Sequence, residues 1–278
     1  MQFAKYHGVG NDYLVLASGE PLSPIMVRAL CHRHTGIGAD GILEPIQGTT
    51  QDYGVRIWNP DGTAAEKSGN GLRIFARWMV DHRGAPPIFS VWTGFCKVIC
   101  RVSDSSIQVD MGRGRSYPPG SAPDDSDPRW IALTRAAQQM IGVDVGNPHW
   151  VCFFDQSLEQ LPWRVWGAYV ETHPWFVHRT NVQFVRIDEG QIAEIRVWER
   201  GAGETLASGS SACAAVWAAV GSGRLAPSRV EVPMPGGTLW VTADARGNLL
   251  LEGPVTHIAT IEVAEGWWDT LRATHRSR

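Results

Sequence analysis

No stretch of this 278-residue chain is apolar for long enough to cross a bilayer, because none of its uninterrupted apolar runs approaches the roughly 18 residues that a crossing requires. The opening residues, Met1-Gln-Phe-Ala-Lys-Tyr-His7, lack the basic-then-apolar layout of a secretory signal, so a cytoplasmic location is the expectation. Basic clusters are missing too. The 25 Lys and Arg stand against 28 Asp and Glu and are spread along the chain, which leaves a net charge of −3 and no electrostatic footprint for nucleic acid. Cysteine is sparse: Cys31, Cys96, Cys100, Cys152 and Cys213 form an odd set without a CxxC pair, which argues against a zinc site and fits reduced thiols in a core. These absences leave a small molecule as the expected partner, with neither nucleic acid nor membrane.

A hydrophobic fraction of 44% with 19% charged residues is that of a folded globular protein, and the length suffices for two ordinary domains. Two loops repeat one design. Asn59-Pro-Asp-Gly-Thr-Ala-Ala-Glu-Lys-Ser68-Gly69-Asn70-Gly71 and Glu199-Arg-Gly-Ala-Gly-Glu-Thr-Leu-Ala-Ser208-Gly209-Ser210-Ser211 each place a polar residue nine positions before a Ser-Gly pair, and each runs into a helix-forming stretch. Gly10-Asn11-Asp12-Tyr13 is echoed by Gly146-Asn147-Pro148-His149 at an offset of 136, close to the offset of 140 between the serines. The chain reads as an old duplication whose chemistry lies in a cleft shared by the copies.

Along the chain, residues 2 to 16 read as a strand, a tight turn that exposes Asn11, and a returning strand. Ser23-Pro24 opens a helix expected to end near His34-Thr35-Gly36. Strands are expected over 41–46 and 53–58. Past the first Ser-Gly loop, Leu72, Phe75, Ala76 and Met79 share one helical stripe, with Arg73 and Arg77 on the other side. Segments 88–102 and 106–111 look like strands. The turn-rich Tyr117 to Pro128 suits a domain crossing, which gives halves of 1–116 with a returning tail of 263–278, and 117–262. In the second half, 138–154 reads as a strand pair around Gly146-Asn147. Ser157 precedes a helix with Trp163, Trp166 and Val170 in register, and strands near 181–187 and 192–199 lead to the second loop and an Ala-rich helix over 211–220. Strands near 229–233, 238–243, 248–252 and 257–262 follow, and then a helical or loose tail. Trp58, Trp78, Trp150, Trp163, Trp166 and Trp217, among thirteen Trp, fall in apolar-periodic segments where core packing explains them.

A helix start carries unpaired N–H groups and the positive end of the helix dipole, so glycine there lets a carboxylate or phosphate reach bare backbone. In this reading Asn70-Gly71 and Ser210-Ser211 offer the N–H groups, with Ser68 and Ser208 on either side of the bound anion. Ser is also among the best N-cap residues, so either site taken alone reads equally well as a cap. The matched spacing is what favours a shared pocket.

The motifs His7-Gly-Val-Gly-Asn11-Asp-Tyr, Arg33-His-Thr-Gly-Ile-Gly-Ala-Asp-Gly, Asn59-Pro-Asp-Gly-Thr, Gly69-Asn-Gly-Leu-Arg73-Ile-Phe-Ala-Arg, Gly146-Asn-Pro-His149, Asn181, and Glu199-Arg-Gly-Ala-Gly-Glu-Thr through Ala212-Cys-Ala-Ala resemble diaminopimelate epimerase, in order, from residue 1 to about 262. The resemblance implies an α/β (α+β) fold of two pseudo-symmetric halves, each a mainly antiparallel sheet or barrel wrapped round a central helix. It implies an isomerase that needs neither pyridoxal phosphate nor metal, in lysine biosynthesis, and is compatible with a homodimer. One group takes the α-proton of an amino acid and a second returns a proton on the opposite face. Ser68 and Ser208 stand where the family has its catalytic thiols. Asn11, Asn59, Asn147, Asn181, Glu199 and Arg200 would hold the ends of a diamino diacid, and Gly69, Asn70, Gly209 and Ser210 would bind the α-carboxylate of the reacting end through backbone N–H groups. Turn geometry is the plainer reading of the Asn residues, and an ion pair with Glu199 that of Arg200.

Serine changes the chemistry. A serine hydroxyl resembles water and lies far above a thiol near 8.5, and a gap of about seven units is worth roughly 10 kcal/mol at about 1.36 per unit. A helix terminus supplies about 2 at most. Serine alone is not expected to deprotonate an α-carbon, though it can relay a proton for another base. Three readings stand: an epimerase or racemase whose serines are activated by the fold or replace thiols to trap substrate; an isomerase or lyase with a carboxylate such as Glu66, Glu199 or Glu204 as single base; and an amino-acid-binding protein that has lost catalysis. His149, beside Pro148 at a strand turn, is expected to pack rather than react.

Overall fold

The computed structural model describes residues 1–48, 52–117 and 126–276. The chain divides into two compact units, Met1–Val109 with Gly253–Arg278, and Asp110–Glu252. The stretch read as a domain crossing lies largely outside the described residues, at 118–125. Among the described residues no helix is long and apolar enough to cross a membrane.

The first unit opens with β1 (Gln2–Gly8) and β2 (Asn11–Ser18), antiparallel, with Gly8 opposite Asn11. Val9 at φ 51° and Gly10 at φ 89° make the two-residue turn, so a β-branched side chain sits in the left-handed region at the hairpin tip. Helix α1 (Pro24–Cys31) begins as expected, with the Ser23 hydroxyl accepting from Met26 N–H and proline at the first turn. It ends at Cys31, short of the expected His34–Gly36, because the His32 ring Nδ1 captures the N–H groups of His34 and Thr35 and turns the chain away. Strand β3 (Gly41–Ile46) then pairs parallel with β2. β4 (Tyr53–Trp58) runs antiparallel to β3, and the short β5 (Ala64–Ala65) folds back on β4.

Helix α2 (Gly69–Arg83) follows and stops at Gly84, φ 66°, whose N–H reaches Met79 O. β6 (Ile88–Trp92) is parallel to β4, and β7 (Lys97–Val102) and β8 (Ile107–Arg113) extend the meander antiparallel. The stretch expected as strand over 88–102 is therefore two strands, separated by a turn in which the Thr93 hydroxyl accepts from the Phe95 and Cys96 N–H groups.

The second unit repeats this plan. β9 (Arg115–Ser116) leads to α3 (Pro128–Ala136), capped by Asp127 and not foreseen in the sequence, and then to β10 (Gln139–Asp144) antiparallel to β11 (Pro148–Phe154). Helix α4 (Trp163–Glu171) takes the place of α1, and β12 (Asn181–Asp188) returns parallel to β11 as β3 does to β2. β13 (Ile192–Glu199), β14 (Gly203–Thr205), α5 (Gly209–Gly221), β15 (Arg229–Met234), β16 (Gly237–Ala243) and β17 (Asn248–Gly253) reproduce β4 to β8, including the parallel partner, here β15 on β13. The chain then returns to the first unit: β18 (Thr256–Glu262) pairs with β1, and Trp268 of α6 (Glu265–Arg276) joins the core beneath α1.

Each unit encloses its central helix. α5 is apolar all round, as a helix buried on every side must be. α2 is buried likewise: Arg73, opposite the apolar stripe, is fully buried and turns its guanidinium back to Gly69 O at 3.2 Å and Asn70 Oδ1 at 2.9 Å. Trp58, Trp78, Trp150, Trp163 and Trp166 pack in the core as expected, whereas Trp217 is only half-buried; Trp150, Trp163 and Trp166 form an aromatic core with Trp130, Phe154 and Phe184 under α4. Cys31, Cys100, Cys152 and Cys213 are buried thiols, and Cys96 is partly exposed.

One packing contact gives a sign test. Alanine in place of glycine in a helix gains about 1 kcal/mol by propensity, but a Cβ on Gly167 would meet the Trp198 side chain at 2.6 Å. Overpacking of that kind costs roughly 1–3 kcal/mol, so Gly167→Ala is expected to lower the melting temperature. An unchanged or raised Tm would mean that α4 can slide off β13.

Candidate functional site

The two Ser-Gly loops form the same structure. Ser68 sits at φ −136°, ψ 117° and Ser208 at φ −142°, ψ 121°, each the N-cap of its unit's central helix. The Ser68 hydroxyl accepts from Gly71 N–H at 3.0 Å, and the Ser208 hydroxyl from Ser211 N–H at 3.4 Å. Gly71 and Ser211, expected to offer N–H groups to an anion, are thus used by the caps themselves. That leaves the N–H groups one and two residues past each cap, those of Gly69 and Asn70 in one unit and of Gly209 and Ser210 in the other, as the donors a helix terminus presents to an anion. Gly71 has a second reason to be glycine, since a Cβ there would crowd Leu43 and the Ser68 side chain at 3.1–3.2 Å.

The remaining partners of the serines are hydroxyls. Tyr13 Oη lies 3.1 Å from Ser68 Oγ, and Ser210 Oγ lies 3.4 Å from Ser208 Oγ. Neither serine is hydrogen-bonded to a carboxylate, an imidazole or an amine among the described residues, so neither has an activating base in hand.

In the first unit a relay of side chains fixes the amides beside Ser68. Lys5 and Arg33 hold Asp12 at 3.0 Å and 2.7 Å, and Arg33 also holds Asp40. Burial would raise the Asp12 carboxyl, but hydrogen bonds and charge from Arg33 and Lys5 outweigh it and keep Asp12 below the usual carboxylate range. Asp40 accepts from Asn11 Nδ2 at 2.8 Å, Asn11 Oδ1 accepts from Asn70 Nδ2 at 3.0 Å, and Asn70 Oδ1 accepts from Arg73. Asn11, Asn70 and Ser68 are brought together. Asn59 is not part of this relay: its N–H and its amide both close on Thr63 within their own loop, the geometry of the plainer turn reading.

In the second unit Gln183 Nε2 donates to Ser211 Oγ and to His149 Nδ1, both at 3.0 Å, and His149 Nε2–H donates to Asn147 Oδ1 at 2.8 Å. This tautomer commits the Asn147 oxygen and leaves its NH2 to donate elsewhere. Asn181 uses Nδ2 on Pro148 O and Oδ1 on Arg200 N–H, each at 2.9 Å, so it ties strand to turn. Arg200 is exposed and makes no ion pair among the described residues. Its guanidinium gives one hydrogen bond, to His178 O at 3.1 Å, so the Glu199 pairing is not formed. Of the carboxylates considered as single bases, Glu204 is bound bidentately by Arg164 in a position open to solvent, which lowers its pKa, and Glu66 is exposed. Among the described residues no group of three or more His, Cys, Asp or Glu could hold a metal ion.

His149 packs, as the sequence suggested. Burial drives its imidazole down to about 3, partly opposed by the Gln183 hydrogen bond, so it is neutral at neutral pH with both ring nitrogens engaged. The sign of the consequence is fixed: the unfolded chain takes up this proton below about 6.5 and the folded chain only near 3, so stability is lost as pH falls through that window. Between pH 7 and 5 the loss from this group is about 2 kcal/mol. His149→Gln is expected to flatten the acid side of the denaturant-measured stability curve by that amount. An identical slope in parent and variant would show the imidazole to be protonated inside the fold.

The family profile described as "Diaminopimelate epimerase" matches residues 3–116 and 141–258. The chain belongs to the diaminopimelate epimerase family. Among its relatives, "Diaminopimelate epimerase 2" of Nostoc sp. is 37% identical, over 95% of this chain and 96% of that protein. Solved structures share the fold: a phenazine biosynthesis protein of the PhzF family from Bacillus anthracis aligns with a TM-score of 0.70 at 12% identity, covering 95% of this chain and 99% of that one. A hydroxyproline epimerase from Agrobacterium vitis, with trans-4-hydroxy-L-proline bound, aligns with a TM-score of 0.65 at 14% identity, covering 95% and 92%. At such identities the likeness speaks for the architecture alone, and the epimerase family assignment rests on the profile and the relatives. The α/β duplication expected from the sequence is the fold of this diaminopimelate epimerase family member.

Sequence reasoning missed Asp40, Gln183 and Glu171. Asp40 and its partner Arg33 lay inside a quoted motif, but only the fold brings them onto Asn11.

Proposed function

We propose that this chain acts on a diaminopimelate-like diamino diacid as a cofactor-independent epimerase, removing the α-proton on one face and returning it on the other, in amino-acid metabolism of the cytoplasm. The observation that carries this is the matched pair of helix starts, each capped by serine at the same backbone angles, in a chain of the epimerase family. Backbone N–H groups of Gly69, Asn70, Gly209 and Ser210 take the α-carboxylate. Asn11 and Asn147, whose amides are oriented by the networks around them, hold the ends of the diamino diacid. Arg200, with no carboxylate partner among the described residues, pairs with the far carboxylate, and Asn59, Asn181 and Glu199 shape the loops around that end.

Ser68 and Ser208 then stand nearest the α-carbon and pass protons only slowly, for want of an adjacent base. Incubation with LL-diaminopimelate in deuterated water, followed by NMR at the α-proton, tests the reading. Deuterium entering one centre with inversion is the expected result. Exchange without inversion, or loss of water or ammonia, would replace the epimerase by a single-base isomerase or lyase. Tight binding with no exchange would leave an amino-acid-binding protein.

A further inference from the structure

The turn that carries Glu199 and Arg200 hangs on a carboxylate at the end of a neighbouring helix. Glu171, the last residue of α4, is buried, and three donors converge on its two oxygens. Gly201 N–H at 2.7 Å and the Arg179 guanidinium take Oε1, and the Trp198 indole N–H at 3.1 Å takes Oε2. Only a carboxylate satisfies all three, since an amide would turn its NH2 onto one of the donors. Arg179 holds φ at 57°, a left-handed conformation that a long side chain adopts at a cost, and its ion pair with Glu171 keeps it there. His178, next to it, supplies the carbonyl that receives Arg200 Nη1.

We infer that Glu171, together with Arg179, is a positioning residue that sets where Arg200 holds its guanidinium, and thereby selects ligands that carry a carboxylate at the far end over ligands that lack it. The inference rests on the functional reading given above. Glu171 fixes the backbone on one side of Arg200 through Gly201 N–H. Through Arg179 it fixes the 178–180 segment whose carbonyl receives the guanidinium. Among the described residues Arg200 makes no ion pair to set its aim independently, so displacing either anchor moves its charge. Glu171 need not touch the ligand, because it acts through Arg200.

L-Lysine is diaminopimelate without the far carboxylate, so the two form the natural pair of probes. Calorimetric binding of both to the parent chain, Glu171→Gln, Arg200→Ala and the double variant is the test. Glu171→Gln is expected to weaken LL-diaminopimelate about tenfold while changing L-lysine less than about twofold, and the double variant is expected to be no weaker than Arg200→Ala alone. Arg179→Gly keeps the left-handed turn without strain and removes the ion pair, so it is expected to move the ratio in the same direction even if Glu171→Gln folds poorly. Equal weakening of both ligands, or effects that add to those of Arg200→Ala, would overturn the inference and leave Glu171 a structural residue. If Arg200→Ala changes the ratio of the two ligands while Glu171→Gln and Arg179→Gly leave it unchanged, the inference alone falls. A parent that binds neither takes the functional reading down as well.

Discussion

Ser68→Cys combined with Ser208→Cys is expected to raise epimerisation of LL-diaminopimelate at least about 10³-fold over the parent chain. A general base or acid of suitable pKa contributes roughly 10²–10⁴-fold, and neither hydroxyl is hydrogen-bonded to one among the described residues. Their partners are the Tyr13 and Ser210 hydroxyls and the N–H groups of their own helices. A thiol in the same cap position gains what serine cannot use. The helix terminus that lowers a cysteine from about 8.5 toward neutrality leaves a serine hydroxyl still far above it. Each single variant is expected to speed deuterium uptake from one isomer, LL or meso, since each supplies a base on one face only. A double variant no faster than the parent would mean that the residues around the caps have been rebuilt for a different ligand.

Asp12→Ala is expected to cost roughly 2–3 kcal/mol of folding stability and to weaken diamino diacid binding with it. Breaking a buried ion pair costs about 3–5 kcal/mol, and here Asp12 is the buried partner of both Lys5 and Arg33. Arg33 is half exposed, so water recovers part of that cost. The loss should carry a pH signature. A carboxylate held below its unfolded pKa contributes stability that is present above about pH 4 and disappears as pH falls through the folded value. The difference between parent and Asp12→Ala should therefore shrink on acidification. A constant difference from pH 7 down to pH 3 would point to lost packing instead of lost charge.

The parts of this molecule that are local in sequence were legible before the fold was known. The Ser23-Pro24 start, the Ser68 and Ser208 caps and the hairpin around Gly10 each follow from a few neighbouring residues and appear as expected. What was not legible is tertiary. Arg73 reads in sequence only as lying opposite the apolar stripe, and nothing there shows that its guanidinium caps the helix start from inside the sheet. Helix α3 was hidden because Asp127-Pro128, read as the end of a turn-rich stretch, is its N-cap and first residue. Asp40 and Glu171 show the same limit at the site, since an acidic residue in sequence gives no sign of which distant N–H groups it will collect.

A crystal structure of the parent chain with LL-diaminopimelate, determined at neutral pH, tests the central claim most directly. The account places the α-carboxylate within about 3.2 Å of N–H groups from Gly69, Asn70, Gly209 and Ser210, with the far carboxylate on Arg200. An α-carboxylate bound away from both helix starts, with those N–H groups left to water, would contradict it.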